Sequence, residues 1–281
     1  AAKIIKGEQV AREIREKLIS AVAALKKEKG ITPGLAIIAV RSPKAQIHIA
    51  RLKERTCRHL GIKCQTFYLP DTTSDEEIIS LIKRLNSAKD IHGINIHPFN
   101  DPLKHTRIYQ VVDSSKDVEG LHYENMGLFF IGDGEHLIAP FMAKGIMKMI
   151  ESTGVELKGK TATVIGRDKL LGKPIALMLL NKNVTVSVCH LQTADLSQFT
   201  KNADILVAAA GRPHLIKKEM VKEGAVVIDA GENRVGSYLI GDVDYENARE
   251  VAGWITPVPG GVGPVSIAML LDNLVKAAKV I

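Results

Sequence analysis

The sequence predicts an α/β protein of two lobes, each built on a mostly parallel sheet. Strand-like apolar runs alternate with helix-like stripes in both halves of the chain. Glycine and proline punctuate the junctions, and one apolar, β-branched run passes straight into a glycine-bounded turn and a helix.

Glu8 to Lys29 carries Val10, Ile14, Leu18, Ala21, Val22 and Leu25 at helical spacing, and Gly30 stops it. Leu35 to Val40 is a continuous apolar run, the pattern of a strand buried on both faces. Ser42-Pro43 supplies an N-cap followed by proline at the first helical position, and Gly61 ends that helix. Ser74 and Glu77 form a capping box ahead of Ile78, Ile79, Leu81, Ile82 and Leu85, after which Ile91 to His97 returns as a strand. A helix-patterned link runs from Ala139 to about Thr153. The second half then gives strand 161–166, helix 174–182, strands 184–189 and 204–209, helix 217–222 and strand 225–230. Pro264 to Ile281 predicts a last helix with proline at its first position, packing back onto the first lobe and leaving a cleft between the lobes. The expected division is 1–138 joined by 264–281 for the first domain, and 139–263 for the second.

The chain has 281 residues, 46% apolar and 25% charged, which excludes disordered and collagen-like classes. No apolar run reaches the ~18 residues needed to span a bilayer, and the start lacks a signal peptide's apolar core, so the expectation is a cytoplasmic protein with no membrane partner. The net charge of +7 is dispersed among acids, as in Lys53-Glu54-Arg55, and only 4% of residues are aromatic, which argues against nucleic acid. Cys57, Cys64 and Cys189 are too scattered for a disulfide framework or a zinc site, and no histidine and carboxylate cluster has metal-ligand spacing.

The segment Thr161-Ala-Thr-Val-Ile-Gly166-Arg-Asp-Lys-Leu-Leu-Gly172-Lys-Pro174 is the most informative. A strand, a glycine-bounded turn and a helix start present free backbone N–H groups and the positive end of a helix dipole, the arrangement that receives a pyrophosphate. The spacing is not G-x-G-x-x-G, so a plain βα turn remains an alternative at this point. On a helical wheel for residues 45–60, Ala45, Ile49, Leu52, Thr56 and Leu60 share one side, and Arg51, Glu54, Arg55, Arg58 and His59 the other. Lys53 lies nearer the apolar side, where desolvation lowers a lysine pKa toward values useful for proton transfer. A stem that packs while the head reaches water is the other reading. His97-Pro-Phe-Asn-Asp-Pro102, Lys116-Asp-Val-Glu-Gly120 and Thr256-Pro-Val-Pro-Gly-Gly-Val-Gly-Pro264 are further loop candidates, the last stiffened by proline and opened to close approach by glycine.

Several of these strings occur together in one family. Ile255-Thr-Pro-Val-Pro-Gly-Gly-Val-Gly-Pro264, the Gly166 to Pro174 turn, Thr185-Val-Ser-Val-Cys-His190, Gly241-Asp-Val-Asp244 and Lys116-Asp-Val resemble the bifunctional methylenetetrahydrofolate dehydrogenase/cyclohydrolase family over nearly the whole chain. The resemblance implies an N-terminal α/β catalytic lobe, a Rossmann-like NAD(P)-binding lobe, a folate pocket in the cleft and a homodimer. It implies oxidation of the methylene bridge of 5,10-methylenetetrahydrofolate, and in many members hydrolysis of the methenyl product to the 10-formyl form. Lys53 matches the family's proton-handling lysine, Glu119 its pterin-anchoring carboxylate, and His97 the position of a family glutamine. Ile49, Gly260, Gly261, Val262 and Pro264 then border the substrate. Gly166, Arg167, Asp168, Gly172, Pro174, His190, Gly211 and Glu232 serve the cofactor.

The chain departs from the family pattern at Ile49 for tyrosine, His97 for glutamine, Glu119 for aspartate, Phe141-Met-Ala143 for Cys-Thr-Pro and Glu232 for isoleucine. Losing the phenol and the amide beside Lys53 bears on the hydrolytic step more than on hydride transfer, which depends on stacking geometry. The run Val188-Cys-His-Leu-Gln-Thr193 lacks the acid that binds the ribose of NAD, while Arg167 and His190 suit a 2′-phosphate, so NADP is preferred over NAD; Asp168 and Leu191, in place of serines, weigh against it. The expectation is an NADP-linked methylenetetrahydrofolate dehydrogenase with the cyclohydrolase step open. The rivals are a folate- or dinucleotide-binding paralogue without turnover and a dehydrogenase for another reduced pterin.

Overall fold

A computed structural model describes residues 1–40, 44–70, 72–97, 106–132 and 138–280. The chain divides into two compact units, Ile14–Phe141 with Met269–Ile281, and Ala1–Glu13 with Met142–Ala268. The predicted cap at Ser42-Pro43, the segment Pro98 to Pro102 and the terminal Ile281 lie outside the described residues, as does the side chain of Ala45.

The chain opens with β1 (Lys3–Ile4) and α1 (Gly7–Lys29), and β2 (Gly34–Val40), α2 (Lys44–Leu60), β3 (Lys63–Leu69), α3 (Asp75–Ser87) and β4 (Gly93–His97) follow. The last three strands form a parallel sheet in the order β3-β2-β4. Every residue of β2 is buried because helices cover both faces of the sheet. Leu35 and Ile37 join Leu18, Val22 and Leu25 of α1 and Leu270 and Leu274 of the C-terminal helix. Ala36, Ile38 and Val40 join Ile78, Leu81 and Ile82 of α3 on the other face. The capping box is present: Glu77 N donates to Ser74 Oγ at 3.2 Å and Ser74 N to Glu77 Oε2 at 2.8 Å.

After β4 come α4 (Thr106–Tyr109), a 3₁₀ turn at Ser114–Lys116, α5 (Tyr123–Ile131) and α6 (Phe141–Glu151). The turn is tied to α3 by Lys116, whose buried ammonium donates to the carbonyls of Leu85, Asn86 and Ala88 at 3.2, 2.7 and 2.8 Å. Leu85 O also accepts from Ala88 N at 3.2 Å and Ala88 O from Ile91 N at 3.3 Å, and the cation suits the negative end of the helix dipole.

The other unit contains β5 (Thr161–Ile165), α7 (Gly172–Asn181), β6 (Thr185–Cys189), α8 (Ser197–Thr200), β7 (Ile205–Ala208) and β8 (Val226–Asp229). It continues with β9 (Asn233–Val235), β10 (Tyr238–Ile240), α9 (Tyr245–Ala248), β11 (Trp254–Ile255) and the start of α10 (Val262–Val280). Its six-stranded sheet, in the order β1-β11-β8-β7-β5-β6, is parallel throughout, and β9 and β10 form a separate antiparallel hairpin.

Three expectations are corrected. The helix predicted at 217–222 is a single 3₁₀ turn, Lys218–Met220, because Val221 is already extended and Gly224 turns the chain at φ +78°. α7 and α10 begin two residues before their prolines, so Pro174 and Pro264 occupy the third helical position, still within the turn where a missing N–H costs no hydrogen bond. On α2 the buried stripe is Ala50, Lys53, Cys57 and Leu60, while Leu52 is exposed and Ile49 and Thr56 are half-buried. The strand β3 lies where no strand was expected.

Replacing Lys116 with Met removes a buried cation from three carbonyls at the end of α3, and the expected loss is about 1–3 kcal/mol in urea unfolding with an unchanged m-value. An unaltered midpoint would show that the ammonium does not cap the helix.

Candidate active site

Side chains of β4 alternate, so Ile94 and Ile96 enter the α3 core while Gly93, Asn95 and His97 share the opposite face. Asn95 pairs in register with Ile37 of β2, and His97 with Ala39. Gly93 is required here because a Cβ would lie 2.3 Å from Val118 Cγ1 and 2.7 Å from a methyl of Leu274. Val118 therefore seats against β4, helped by a bridge between Ile94 and Asp117, and the following Glu119 is carried alongside the strand. Asp117 locks this turn by accepting from Gly120 N at 3.0 Å, His122 N at 2.8 Å and Asn125 Nδ2 at 2.9 Å.

The result is a buried polar chain. Lys53 Nζ donates to Asn95 Oδ1 at 2.7 Å, Asn95 Nδ2 donates to Glu119 Oε1 at 2.9 Å, and Ile96 N donates to the same oxygen at 2.6 Å. Lys53, Asn95 and Glu119 are 5%, 1% and 7% exposed, so water does not screen them. Burial lowers the Lys53 pKa to about 8, with the Glu119 carboxylate opposing the shift. Burial raises Glu119 to about 7, against the pull of Lys53 and the Ile96 N–H. An ammonium and a carboxylic acid that each give up a proton near neutrality can move protons to and from a bound substrate.

The predicted residues of this unit are thus distributed unevenly. Lys53 and Glu119 are brought together through one amide, His97 is buried on the same face of β4, and Ile49 sits half-buried one helical turn before Lys53. Asn95 was not anticipated. Its signal in the sequence is a polar residue inside the apolar strand Ile94-Asn95-Ile96, with the parity of His97.

In the other unit the strand-turn-helix segment forms a cradle. Gly166 has φ +128°, and a Cβ there would lie 2.2 Å from Ala209 O; a Cβ on Gly172 would lie 2.4 Å from Gly166 O. At the carboxyl ends of β5, β6 and β7 a depression of about 340 Å³ is lined by Gly166, Arg167, Asp168, His190, Leu191, Gln192, Ala209 and Ala210. Asp168 caps the turn, its Oδ1 accepting from Leu170 N at 2.9 Å and Leu171 N at 3.0 Å, and its Oδ2 from Gly172 N at 3.1 Å. Its charge is therefore compensated by three N–H groups, which weakens the expected repulsion of a phosphate. His190 accepts from Gln192 N through Nδ1 at 3.2 Å, so its Nε2 carries the ring proton. A glycine floor, a cation at Arg167 and no acid directly after β6 fit a dinucleotide phosphate.

The remaining predicted residues lie elsewhere in this unit. Gly211, at φ +67°, gives its N–H to Asp242 Oδ2 at 2.9 Å. Glu232 is exposed, and a Cβ on Gly263 would lie 3.8 Å from its Oε1, which puts a carboxylate beside the N-terminal turn of α10. Gly260 and Gly261 form the tight approach to that helix: Gly7 N donates to Gly260 O at 2.9 Å, and a Cβ on Gly261 would lie 2.5 Å from Pro257 O. Val262 is buried and Pro264 half-buried in its first turn. Among the described residues, no group of three or more His, Cys, Asp or Glu is placed to hold a metal ion, and no helix is long and apolar enough to cross a membrane.

A parallel sheet with a glycine cradle at its strand ends, in a chain that also carries a buried lysine and carboxylate, has the parts of a dinucleotide-dependent enzyme. The chain belongs to the tetrahydrofolate dehydrogenase/cyclohydrolase family: residues 5–119 match its catalytic domain and residues 140–281 its NAD(P)-binding domain. It is 45% identical over 281 residues to the bifunctional protein FolD of Moorella thermoacetica, covering 99% of both chains. The crystal structure of the bifunctional methylenetetrahydrofolate dehydrogenase/cyclohydrolase FolD from Campylobacter jejuni superposes with a TM-score of 0.94 at 40% identity, with 99% of each chain covered. The Trypanosoma brucei enzyme, solved with NADP and an inhibitor, gives a TM-score of 0.94 at 34% identity over 99% of this chain and 97% of its own.

The pKa shifts set a pH dependence of stability. Between about pH 8 and 10.5 the unfolded chain keeps the Lys53 proton that the folded chain has released, so stability rises with pH. Between 4.5 and about 7 the folded chain keeps a Glu119 proton that the unfolded chain has lost, so stability falls as pH rises. From pH 8 to 10 the protein should therefore gain stability relative to Lys53→Met, at up to about 1.4 kcal/mol per pH unit, measured by denaturant unfolding. Parallel stability curves for the two proteins would contradict the buried, depressed lysine.

Proposed function

We propose that the protein oxidises 5,10-methylenetetrahydrofolate to 5,10-methenyltetrahydrofolate with NADP and hydrolyses that product to 10-formyltetrahydrofolate. The observation that carries this reading is the buried lysine, hydrogen-bonded through an amide to a buried carboxylate, in the part of the chain that matches the family's catalytic domain. When bound, NADP takes up the hydride released from the methylene carbon. Arg167 and His190 would hold its phosphates, with Gly166 and Gly172 allowing the backbone to approach them. Glu119 anchors the pterin through carboxylate lone pairs not used by Asn95 and Ile96.

Loss of hydride leaves a positive charge shared by N5, the bridging carbon and N10. In the hydrolytic step water adds to that carbon, and its proton passes to the neutral amine of Lys53. The resulting ammonium returns a proton to N5 as the carbon–N5 bond breaks, leaving the formyl group on N10. The hydroxyl left on the carbon loses its own proton as the carbonyl forms, so one water is consumed and one proton released. A pKa of about 8 keeps both forms of Lys53 populated near neutrality, as this exchange requires. Neutral Lys53 also avoids placing a full cation against the cationic methenyl carbon. The protein is proposed to act as a homodimer in the cytoplasm, and sedimentation at micromolar concentration tests the dimer.

Methenyl-folate formation, followed with NADP and with NAD, tests the whole reading. Turnover with NADP is expected, and binding of folate with no product from either cofactor would sink it. Arg167→Ala should raise KM for NADP about 10-fold while leaving KM for NAD within a factor of two, since a charge-assisted hydrogen bond to phosphate is worth about 1.5–3 kcal/mol. Lys53→Met should lower the hydrolytic rate at least ~100-fold, as expected for removal of a general acid/base, and an unchanged rate would remove Lys53 from the mechanism.

A further inference from the structure

We propose that Asn95 is a positioning residue for the hydrolytic step: its amide, held in one orientation by Glu119, aims a neutral acceptor at Lys53 and so fixes where the lysine amine stands and what faces it. The proposal rests on the assignment of proton transfer to Lys53. Asn95 Nδ2 donates to Glu119 Oε1, so only Oδ1 is left to face the lysine, and Lys53 Nζ meets it at 2.7 Å. Flipping the amide would set an NH₂ against an ammonium and a carbonyl against a carboxylate, so both neighbours enforce the same orientation. Glu119 cannot drift to release the amide, because Ile96 N holds the same oxygen at 2.6 Å and Asp117 fixes the turn that carries it. At 1% exposure Asn95 is more deeply buried than either partner.

The neutral acceptor matters chemically. A carboxylate in direct contact would hold the proton on Lys53 and oppose its release in the first half of the hydrolysis. An amide dipole orients the amine without a full opposing charge, while Glu119 acts from the far side of the amide. Among the described residues the other groups that act on Lys53 are Cys57, on its own helix, and Cys64 of β3, with His97 two residues beyond Asn95 on the same face of β4. Asp117 acts on Glu119, and burial together with Glu119 raises the Tyr109 phenol. Cys57 is held in its thiol form by its hydrogen bond to Cys64 and by burial, so it supplies no charge near neutrality. Among the described residues Asn95 is the side chain that accepts the lysine's hydrogen bond, while Cys64, whose pKa the Cys57 hydrogen bond lowers, acts on Lys53 through charge. Asn95 also returns an amide to a strand face where His97 stands in place of the family's glutamine.

The test uses full-length protein with Asn95→Leu and Asn95→Asp, each compared with the parent and with Lys53→Met, and with folding checked by circular dichroism and thermal midpoint. Hydrolysis of methenyl-folate is measured without nicotinamide cofactor, across pH 6 to 10, alongside dehydrogenase kcat/KM on the same samples. Asn95→Leu should lower hydrolytic kcat about 10- to 100-fold while KM for methenyl-folate changes less than about threefold, the signature of a misplaced catalytic group. Asn95→Asp keeps the side-chain shape but sets a carboxylate against Lys53, so the pH at which hydrolysis rises should move upward by about one unit or more. A purely structural role would lower stability and both activities without moving that pH. Hydrolytic kcat within twofold of the parent and an unmoved profile in Asn95→Asp, with Lys53→Met inactive, would overturn the proposal and leave the lysine assignment standing. If Lys53→Met itself retains full hydrolysis, the underlying reading fails instead.

Discussion

The arrangement depends on one physical constraint, the cost of burying an ammonium and a carboxylate where water cannot reach them. A buried ion pair is stable only when its remaining donors and acceptors are satisfied. Here one amide satisfies both sides, taking a hydrogen bond from Lys53 and giving one to Glu119. Much of the surrounding unit serves that geometry. Gly93 lets Val118 seat, Val118 delivers Glu119, Asp117 stiffens the turn, and Lys116 ties the turn to the end of α3. Asn273 of α10 adds a tie of its own, donating to Val118 O and Ala139 O at 2.9 Å each. The penalty that burial imposes on both charges is what makes their protons mobile near neutrality.

The nucleotide unit solves a different problem, fixing the loops at its strand ends. Its main devices are buried carboxylates bonded to backbone N–H groups. Asp242 accepts from Ala210, Gly211 and Arg212, and Asp229 accepts from Gly231, Asp242 and Val243. Burial raises Asp229 to about 6, and the N–H groups oppose the shift. These aspartates order the loops after β7 and β8, and Asp168 does the same for the turn after β5. Loops held by their own carboxylates carry a smaller ordering cost on binding a cofactor.

Local signals in the sequence were the most legible. The capping box at Ser74 and Glu77 needs only neighbouring residues, and Gly166 and Gly172 announce a close backbone approach whatever the ligand. The parallel sheets followed from alternation, and the family from strings that recur together. β3 escaped notice because it is an edge strand with polar residues such as Lys63 and Gln65 along it, so no apolar run marks it. The 217–222 segment has helical composition but too little length before Gly224 for more than one turn.

The site was legible in its parts and not in its connection. Lys53 drew attention by its place on the wheel, yet the helix buries a stripe through Lys53 and leaves Leu52 41% exposed, which apolar content alone does not predict. Ala50, Cys57 and Leu60 of that stripe pack into the apolar core, and Lys53 between them meets an amide. Asn95 is 42 residues from Lys53 and 24 from Glu119, and nothing within its own strand reveals either partner.

The most direct measurement is an NMR titration of the Lys53 side chain, with the Lys53→Met variant used to assign its signal. The account predicts a midpoint near 8, well below 10.5, and sensitive to replacement of Glu119. A midpoint at the ordinary lysine value would show an amine in water, and the buried proton-handling chain would not exist.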